Sequence, residues 1–401
     1  MPEIRGPVTS PDLNALLQSV EHEVLQWRRH FHAYPELSFS EHETSAKIAD
    51  VLHRKGLTFS MPTPTSVVVE IAGGLPGRTV AIRADIDALP ITEQTGLAFS
   101  SKNPRAMHAC GHDGHIAVGL GIAGVLAQLR GKFAGNVRII FQHAEEQMPK
   151  GAPELIEAGV LDGVDVVLGQ HFVVDAPVGT VTINRGALLA SADLFHVRLE
   201  GLGGHGGLPH QTKDPIPATA DFIHAVHRIA SREFPPSDPV IISVTQLEAG
   251  DAYNVIPPEA HLKGTVRALS PSARQKVTER LFETARGIAA THGITANLTY
   301  EQGPPPLINT IKVADFMRDV AEECNLIQRV QEIAPLMGAD DYSYYLDNVP
   351  GVYILTGADP QQNGGPAYPP HHPGFDFNES ALPVATGLLL RGALALAAAP
   401  S

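Results

Sequence analysis

The stretch Met107-His108-Ala109-Cys110-Gly111-His112-Asp113-Gly114-His115 gathers one thiol, three imidazoles and a carboxylate around two glycines that let the backbone turn tightly. A thiolate and a neutral imidazole both bind borderline-soft divalent ions. Cys110 and His112 stand two apart, so they can face one point only if the segment is a loop or extended. Taken alone, the stretch would pass for a histidine-rich surface loop. The segments on either side of it decide the reading, and with it the fold.

Before it, residues 66–72 and 78–84 read as strands joined by the turn Gly73-Gly74-Leu75-Pro76-Gly77, and the second runs directly into Asp85-Ile86-Asp87. After it, residues 116–130 read as an apolar helix rich in small residues. Residues 136–142 form a buried-type strand followed at once by Glu145-Glu146, and residues 164–170 form another with His171 at its end. Four successive segments thus end in Asp85, the Cys/His loop, the glutamate pair and His171. Open α/β sheets collect ligand groups just beyond the carboxyl ends of their strands. Two adjacent carboxylates can divide labour, one holding a metal while the other handles a proton. The run Gly119-Leu120-Gly121-Ile122-Ala123-Gly124 matches G-x-G-x-x-G formally. No strand leads into it, so it predicts close helix packing rather than a nicotinamide site.

Further out, Ser10-Pro11 predicts the start of a first helix, and Ser40-Glu41-His42-Glu43 a capping box for a second. From residue 191 the order becomes strand, helix, strand, strand, helix, strand: 193–200, 214–231, 239–248, 259–268, 271–292 and 295–300. That is the ferredoxin-like split unit. The glycine-rich run 201–207 within it presents His205, and Asn254 lies between its two middle strands. The chain then returns through a helix at 310–323, the turn 336–341, a strand at 351–356 and the loop His371-His372-Pro373. Asn378 is the expected N-cap of the last helix. The fold class is α/β, a mixed central sheet with helices on both faces, interrupted by a smaller α+β domain. The expected parts are 1–186, 187–301 and 302–401.

Composition narrows the function. Apolar residues make up 43% and charged residues 18%, which describes a globular chain. The formal charge of −14 repels nucleic acid, and no run of lysine and arginine offers an exception. The N-terminal residues lack the apolar core of a secretory signal, and proline, glycine and arginine interrupt the tract 381–399, so no membrane association is expected. Cys110 and Cys324 are the two cysteines, which points to a reducing cytoplasm rather than a disulfide scaffold. No G-x-S-x-G elbow, phosphate loop or H-E-x-x-H helix is present.

Several of these motifs together resemble a known family. They are Trp27-Arg28-Arg29-His30-Phe31-His32 through Pro35-Glu36-Leu37, Arg83 through Pro90, His108 through Asp113, Phe141 through Glu146, Gly204-His205 with Pro209-His210, Asn254-Val255-Ile256-Pro257 and His371-His372-Pro373. The chain is similar to the aminoacylase and glutamate-carboxypeptidase family of two-metal hydrolases (metallopeptidase family twenty), in the branch of hippurate and indoleacetyl-amino-acid hydrolases. The resemblance implies Cys110, His112, Glu146, His171 and His371 as ligands of two divalent ions (Mn, Zn, Co or Ni). It implies Glu145 as general base, Asp85 as a support for a ligand imidazole, and His205 and Asn254 at the substrate. It implies a metal-dependent amidohydrolase of N-acyl amino acids, a homodimer or homotetramer, with the smaller domain as lid or dimer contact. A dipeptidase, a carboxypeptidase and an N-carbamoyl amino acid hydrolase differ from this only in the pocket. A metal-binding scaffold is the non-enzymatic rival. The chain departs from the branch at His143 in place of proline, at Gln147-Met148-Pro149-Lys150 in place of a glycine-rich run, and at Asp340-Asp341 in place of Glu-Asp.

Overall fold

Continuous β-branched and aliphatic runs build an eight-stranded mixed sheet in the first of two units of the computed structural model, which describes residues 10–399. That unit takes the chain up to Gly186, Ile308–Ile333 and the residues from Tyr344 onward. The second takes Ala187–Leu307 and Ala334–Ser343.

The strand order across the large sheet is Phe59–Ser60, Val67–Ala72, Phe133–Gln142, Gly74–Asp85, Val166–Val173, Gly351–Gly357, Thr180–Thr182 and Arg329–Gln331. The strands joined by the glycine turn therefore do not lie side by side. Phe133–Gln142 enters between them, antiparallel to Val67–Ala72 and parallel to Gly74–Asp85. Gly73 permits this passage. A Cβ there would lie 2.3 Å from the Phe133 carbonyl oxygen, a separation no side chain tolerates. Four consecutive strands, Phe133–Gln142, Gly74–Asp85, Val166–Val173 and Gly351–Gly357, are mutually parallel. Their carboxyl ends share one edge of the sheet, and His171 lies within its strand rather than after it.

The helix expected from residue 116 begins at His112 and ends at Gln128, so His112 and His115 occupy its first turn. It is buried along almost its whole length and packs against Ser10–Ala33 and Ala381–Ala397. A Cβ at Gly119 would come within 2.7 Å of the Phe141 ring, and one at Gly121 within 2.6 Å of Val24. The glycine run is thus a packing surface inside a helix.

Two expected caps are corrected. The second helix, His42–Arg54, has Glu41 at its N-cap with no side-chain cap bond, and the Thr44 N–H is taken instead by Glu36 Oε2 at 2.7 Å. The Glu41 carboxylate turns inward to the Ala144 N–H, 2.8 Å away. The last helix starts at Ala381 behind Ser380, and Asn378 Oδ1 accepts the Ser380 N–H from one step earlier. The Ser10 side chain lies outside the described residues.

The second unit is ferredoxin-like. Its four-stranded antiparallel sheet runs Val240–Glu248, Glu259–Ala268, Asp193–Glu200, Thr295–Glu301. Helices Pro215–Arg232 and Pro271–His292 bury Phe222, Val226, Val277 and Leu281 against Val197 and Leu262. Both helices start with proline behind a side-chain cap, Asp214 on the Ile216 N–H and Ser270 on the Ala273 N–H.

Candidate metal centre

Gly111 adopts φ 94°, a left-handed conformation that costs glycine little, and it stands as N-cap of the helix that begins with His112. The chain reverses at this one residue. Cys110 is thereby brought beside the first helical turn, and no extended segment is needed.

The imidazoles are aimed by their second nitrogens. His112 Nδ1 lies 3.0 Å from the Asp87 carbonyl oxygen and 3.3 Å from Asp87 Oδ1. His171 Nδ1 lies 2.7 Å from the Phe172 carbonyl oxygen, so the neutral ring donates there and presents Nε2, which is 3.3 Å from Cys110 Sγ. Such outer contacts fix the tautomer and orientation of a metal-binding histidine. His371 is held through its backbone, its N–H donating to the Ala109 carbonyl oxygen at 2.8 Å. Its φ of 68° is strained for a side-chain-bearing residue, by roughly 1–3 kcal/mol. Its Nε2 lies 3.3 Å from Glu146 Oε1.

Two triads result, Cys110 with His112 and His171, and Cys110 with Glu146 and His371. In each, one potential ligand atom per residue lies within 4.8 Å of the others. The five side chains singled out in the sequence come together, and the thiol belongs to both triads. A soft thiolate with imidazole and carboxylate suits a divalent transition ion, and a shared ligand suits two of them. A third group joins His112, Glu145 and Glu146.

Asp85 makes its closest contacts with groups other than the five proposed ligands. Its Oδ1 meets His115 Nδ1 and its Oδ2 meets Arg83 Nη1, each at 2.5 Å, while His112 Nε2 is 3.5 Å away. The residue that steadies His112 is Asp87. It is buried, it also accepts from Ser38 Oγ at 2.6 Å, and it was present in the sequence only as the second acid of Asp85-Ile86-Asp87. His115 stacks on Phe172 with ring centroids 5.3 Å apart. Its role carried no sequence signal beyond its place one helical turn after His112.

Burial and neighbours set the charges. Burial opposes ionisation of Asp87, but the His112 ring and the Ser38 hydroxyl outweigh it and bring the carboxyl down to about 2. Asp85 is held well below the usual range, with burial overcome by Arg83 and the two imidazoles. Burial, reinforced by Glu146, pushes the Cys110 thiol well up. For His112 burial works the other way, but Asp85 and Asp87 dominate and raise the imidazole well above its ordinary value.

The turn that carries the two glutamates is held from several directions. Ala144 is left-handed at φ 49°, and its N–H is the one that Glu41 accepts. The Glu146 N–H goes to Asp87 Oδ2 at 2.9 Å. His143 is buried, with its ring edge-on to Phe39 and its Nε2 3.0 Å from Glu154 Oε2. Lys150 Nζ lies 3.1 Å from Glu145 Oε1 and donates to the Glu145 carbonyl oxygen.

His205 and Asn254 belong to the second unit, on a small ribbon where Val255 pairs with His205 and Gly206 N–H donates to the Asn254 carbonyl oxygen at 2.8 Å. His205 is exposed, and its Nδ1 accepts the Gly207 N–H at 3.0 Å.

A thiol, imidazoles and carboxylates converging beyond the carboxyl ends of the four parallel strands, with a further glutamate beside them, are the equipment of a metal-dependent hydrolase. Residues 81–395 match the model of peptidase family M20/M25/M40, and the chain belongs to that family. It is 45% identical to an N-acyl-L-amino acid amidohydrolase of Geobacillus stearothermophilus, over 75% of this chain and 82% of that one. It is 40% identical to an N-acetyl-L-cysteine deacetylase of Bacillus subtilis, over 94% and 89%. Among solved structures it superimposes on a dinuclear metal-binding M20 peptidase of Bacillus subtilis with a TM-score of 0.84 at 35% identity, covering 95% of this chain and 99% of that one. No helix among the described residues is long and apolar enough to cross a membrane.

Proposed function

We propose that the chain hydrolyses the amide bond of N-acyl amino acids, releasing a carboxylic acid and a free amino acid. The observation that carries this reading is the pair of triads sharing Cys110, with Glu145 adjoining them. The two curated relatives, named for N-acyl amino acid and N-acetylcysteine hydrolysis, support the substrate class.

Cys110, His112, Glu146, His171 and His371 are the residues that would hold two divalent ions, of Mn, Zn, Co or Ni. When bound, such ions supply Lewis acidity and a water of lowered pKa. Glu145 takes a proton from the attacking water at its carboxylate while the new carbon–oxygen bond forms. It returns that proton to the nitrogen as the carbon–nitrogen bond breaks. Asp87 keeps His112 oriented throughout, and Asp85 does the same for His115. His205 and Asn254 are assigned to substrate contact, with His205 answering charge on the carbonyl oxygen. A homodimer or homotetramer in the cytoplasm, with the second unit as lid or dimer contact, completes the proposal.

The test is a hydrolysis panel of N-acetyl, N-benzoyl and indoleacetyl amino acids, alongside simple dipeptides, with metal analysis of the same preparation. Close to two ions per chain and turnover of at least one acyl class are expected. A protein that carries metal yet cleaves none of them would be a scaffold.

A further inference from the structure

Lys150 falls in the segment Gln147-Met148-Pro149-Lys150, where the chain departs from the branch it resembles. The structure gives that departure a location. Gly151 N–H donates to the Ala144 carbonyl oxygen at 2.8 Å, closing residues 144–151 into a loop. Gly151 is required there, since a Cβ would lie 2.0 Å from the His143 carbonyl oxygen. The loop brings Lys150 back over Glu145, and its ammonium meets both the Glu145 carbonyl oxygen and, at 3.1 Å, Glu145 Oε1. Neither group is open to solvent, with Lys150 14% and Glu145 8% exposed at the side chain. The backbone on each side of Glu145 is already fixed by buried carboxylates, Glu41 on the Ala144 N–H and Asp87 on the Glu146 N–H. Lys150 adds a contact on the Glu145 side chain itself.

We propose that Lys150 is a positioning residue for the general base, its ammonium bridging the Glu145 carbonyl and carboxylate so that one carboxylate oxygen is held and the other is directed at the water. The proposal rests on the reading of Glu145 as base given above. An ammonium on a long stem is a point charge that reaches two oxygens of one residue at once. Without that bridge the carboxylate is held less closely, and misplacement by about 1 Å costs on the order of 100-fold in rate.

The experiment uses the metal-loaded protein and an N-acyl amino acid that the wild type cleaves. Lys150→Met should lower kcat by about 10–100-fold with KM changed by less than about threefold, at unchanged metal content. Lys150→Arg, which keeps a cation within reach, should recover most of the loss. In a Glu145→Asp background, whose carboxylate Lys150 cannot bridge in the same way, Lys150→Met should cost several-fold less than it does alone. Binding of the free amino acid product, followed by calorimetry, should match the wild type in Lys150→Met. Lys150→Gln replaces Lys150→Met if the latter does not fold, as judged by thermal melting. An unchanged kcat, a raised KM with weakened product binding, or equal losses in both backgrounds would each overturn the proposal, the second by making Lys150 a substrate anchor. A wild type that cleaves nothing on the panel would fail the functional reading instead.

Discussion

Two clusters of buried charge meet on the first turn of one helix, and they are built in opposite ways. Asp113 points to one side, where Arg28 stands with its Nε 3.0 Å from Asp113 and its terminal nitrogens 2.6 Å from Asp376 and 3.0 Å from Glu379. His32 bridges Asp113 and Glu93. Burial disfavours the guanidinium, but its three carboxylates outweigh that and keep it charged. His112 and His115 point to the other side, among Asp85, Asp87, Glu145, Glu146 and the Cys110 thiol, where Arg83 pairs with Asp85 and Lys150 with Glu145. The first cluster is centred on a permanent cation, Arg28, with His32 beside it, and holds Ser10–Ala33, the helix His112–Gln128 and the 376–379 loop together. In the second, much of the balance comes from protons on imidazole and thiol, and protons can be exchanged for metal. The teaching of the pair is that one turn of helix separates a structural charge cluster from a reactive one.

That contrast can be broken by experiment. The largest effect belongs to Glu145→Gln, which should lower kcat by about 10²–10⁴-fold with metal content unchanged. Loss of metal in that variant would make Glu145 a ligand. On the other side of the helix, Arg28→Met leaves three carboxylates facing a buried void of charge and should cost about 3–5 kcal/mol in denaturant unfolding. Whatever protein remains folded should still bind metal, and a variant that is stable but metal-free would mean the two clusters are one.

Glu41 sharpens the comparison on the reactive side. Burial, with a contribution from Asp87, raises its carboxyl from the ordinary 4.5 to about 7. A carboxyl that ionises later in the folded state contributes fully below the unfolded value, and its contribution fades as pH climbs through the folded one. Metal-free Glu41→Gln, which keeps an acceptor for the Ala144 N–H, should therefore gain on the wild type between pH 5 and pH 8, by at most about 3 kcal/mol. The same stability difference at both pH values would refute this. The smallest effect concerns protons displaced by metal. Cys110 and His112 both hold theirs to higher pH than usual and must release them to bind. Affinity should rise about tenfold per pH unit for each proton released near neutrality. Calorimetry in buffers of different ionisation enthalpy would detect that release, and its absence would sink the idea.

What could be read in the sequence followed chemistry more than geometry. The Cys/His loop, the Glu145-Glu146 pair, His171 and the His371-His372 pair stand out because few side chains bind metals and strand ends collect such groups. The choice of Cys110, His112, Glu146, His171 and His371 as ligands came instead from the family resemblance. The ferredoxin-like order was legible because each of its elements is local and carries its own period and caps. Strand neighbours were not, since insertion of Phe133–Gln142 between two chain-adjacent strands depends on close passage at Gly73. Asp87 was overlooked in favour of Asp85 because the two stand two residues apart where the strand Gly74–Asp85 ends, and the sequence does not say which of them His112 meets. The inward turn of Glu41 and the return of Lys150 onto Glu145 span 103 and five positions, and neither leaves a mark in periodicity.

His371 has a temporal consequence. The thiol it joins is laid down at position 110, but the imidazole that completes the second triad arrives some 260 residues later, after the strand Gly351–Gly357 that seats beside Val166–Val173. A polypeptide still emerging from the ribosome can therefore display Cys110, His112 and His171 to passing cations while lacking the partner for the other ion. Occupation of both triads therefore requires the chain to have been made at least through His371.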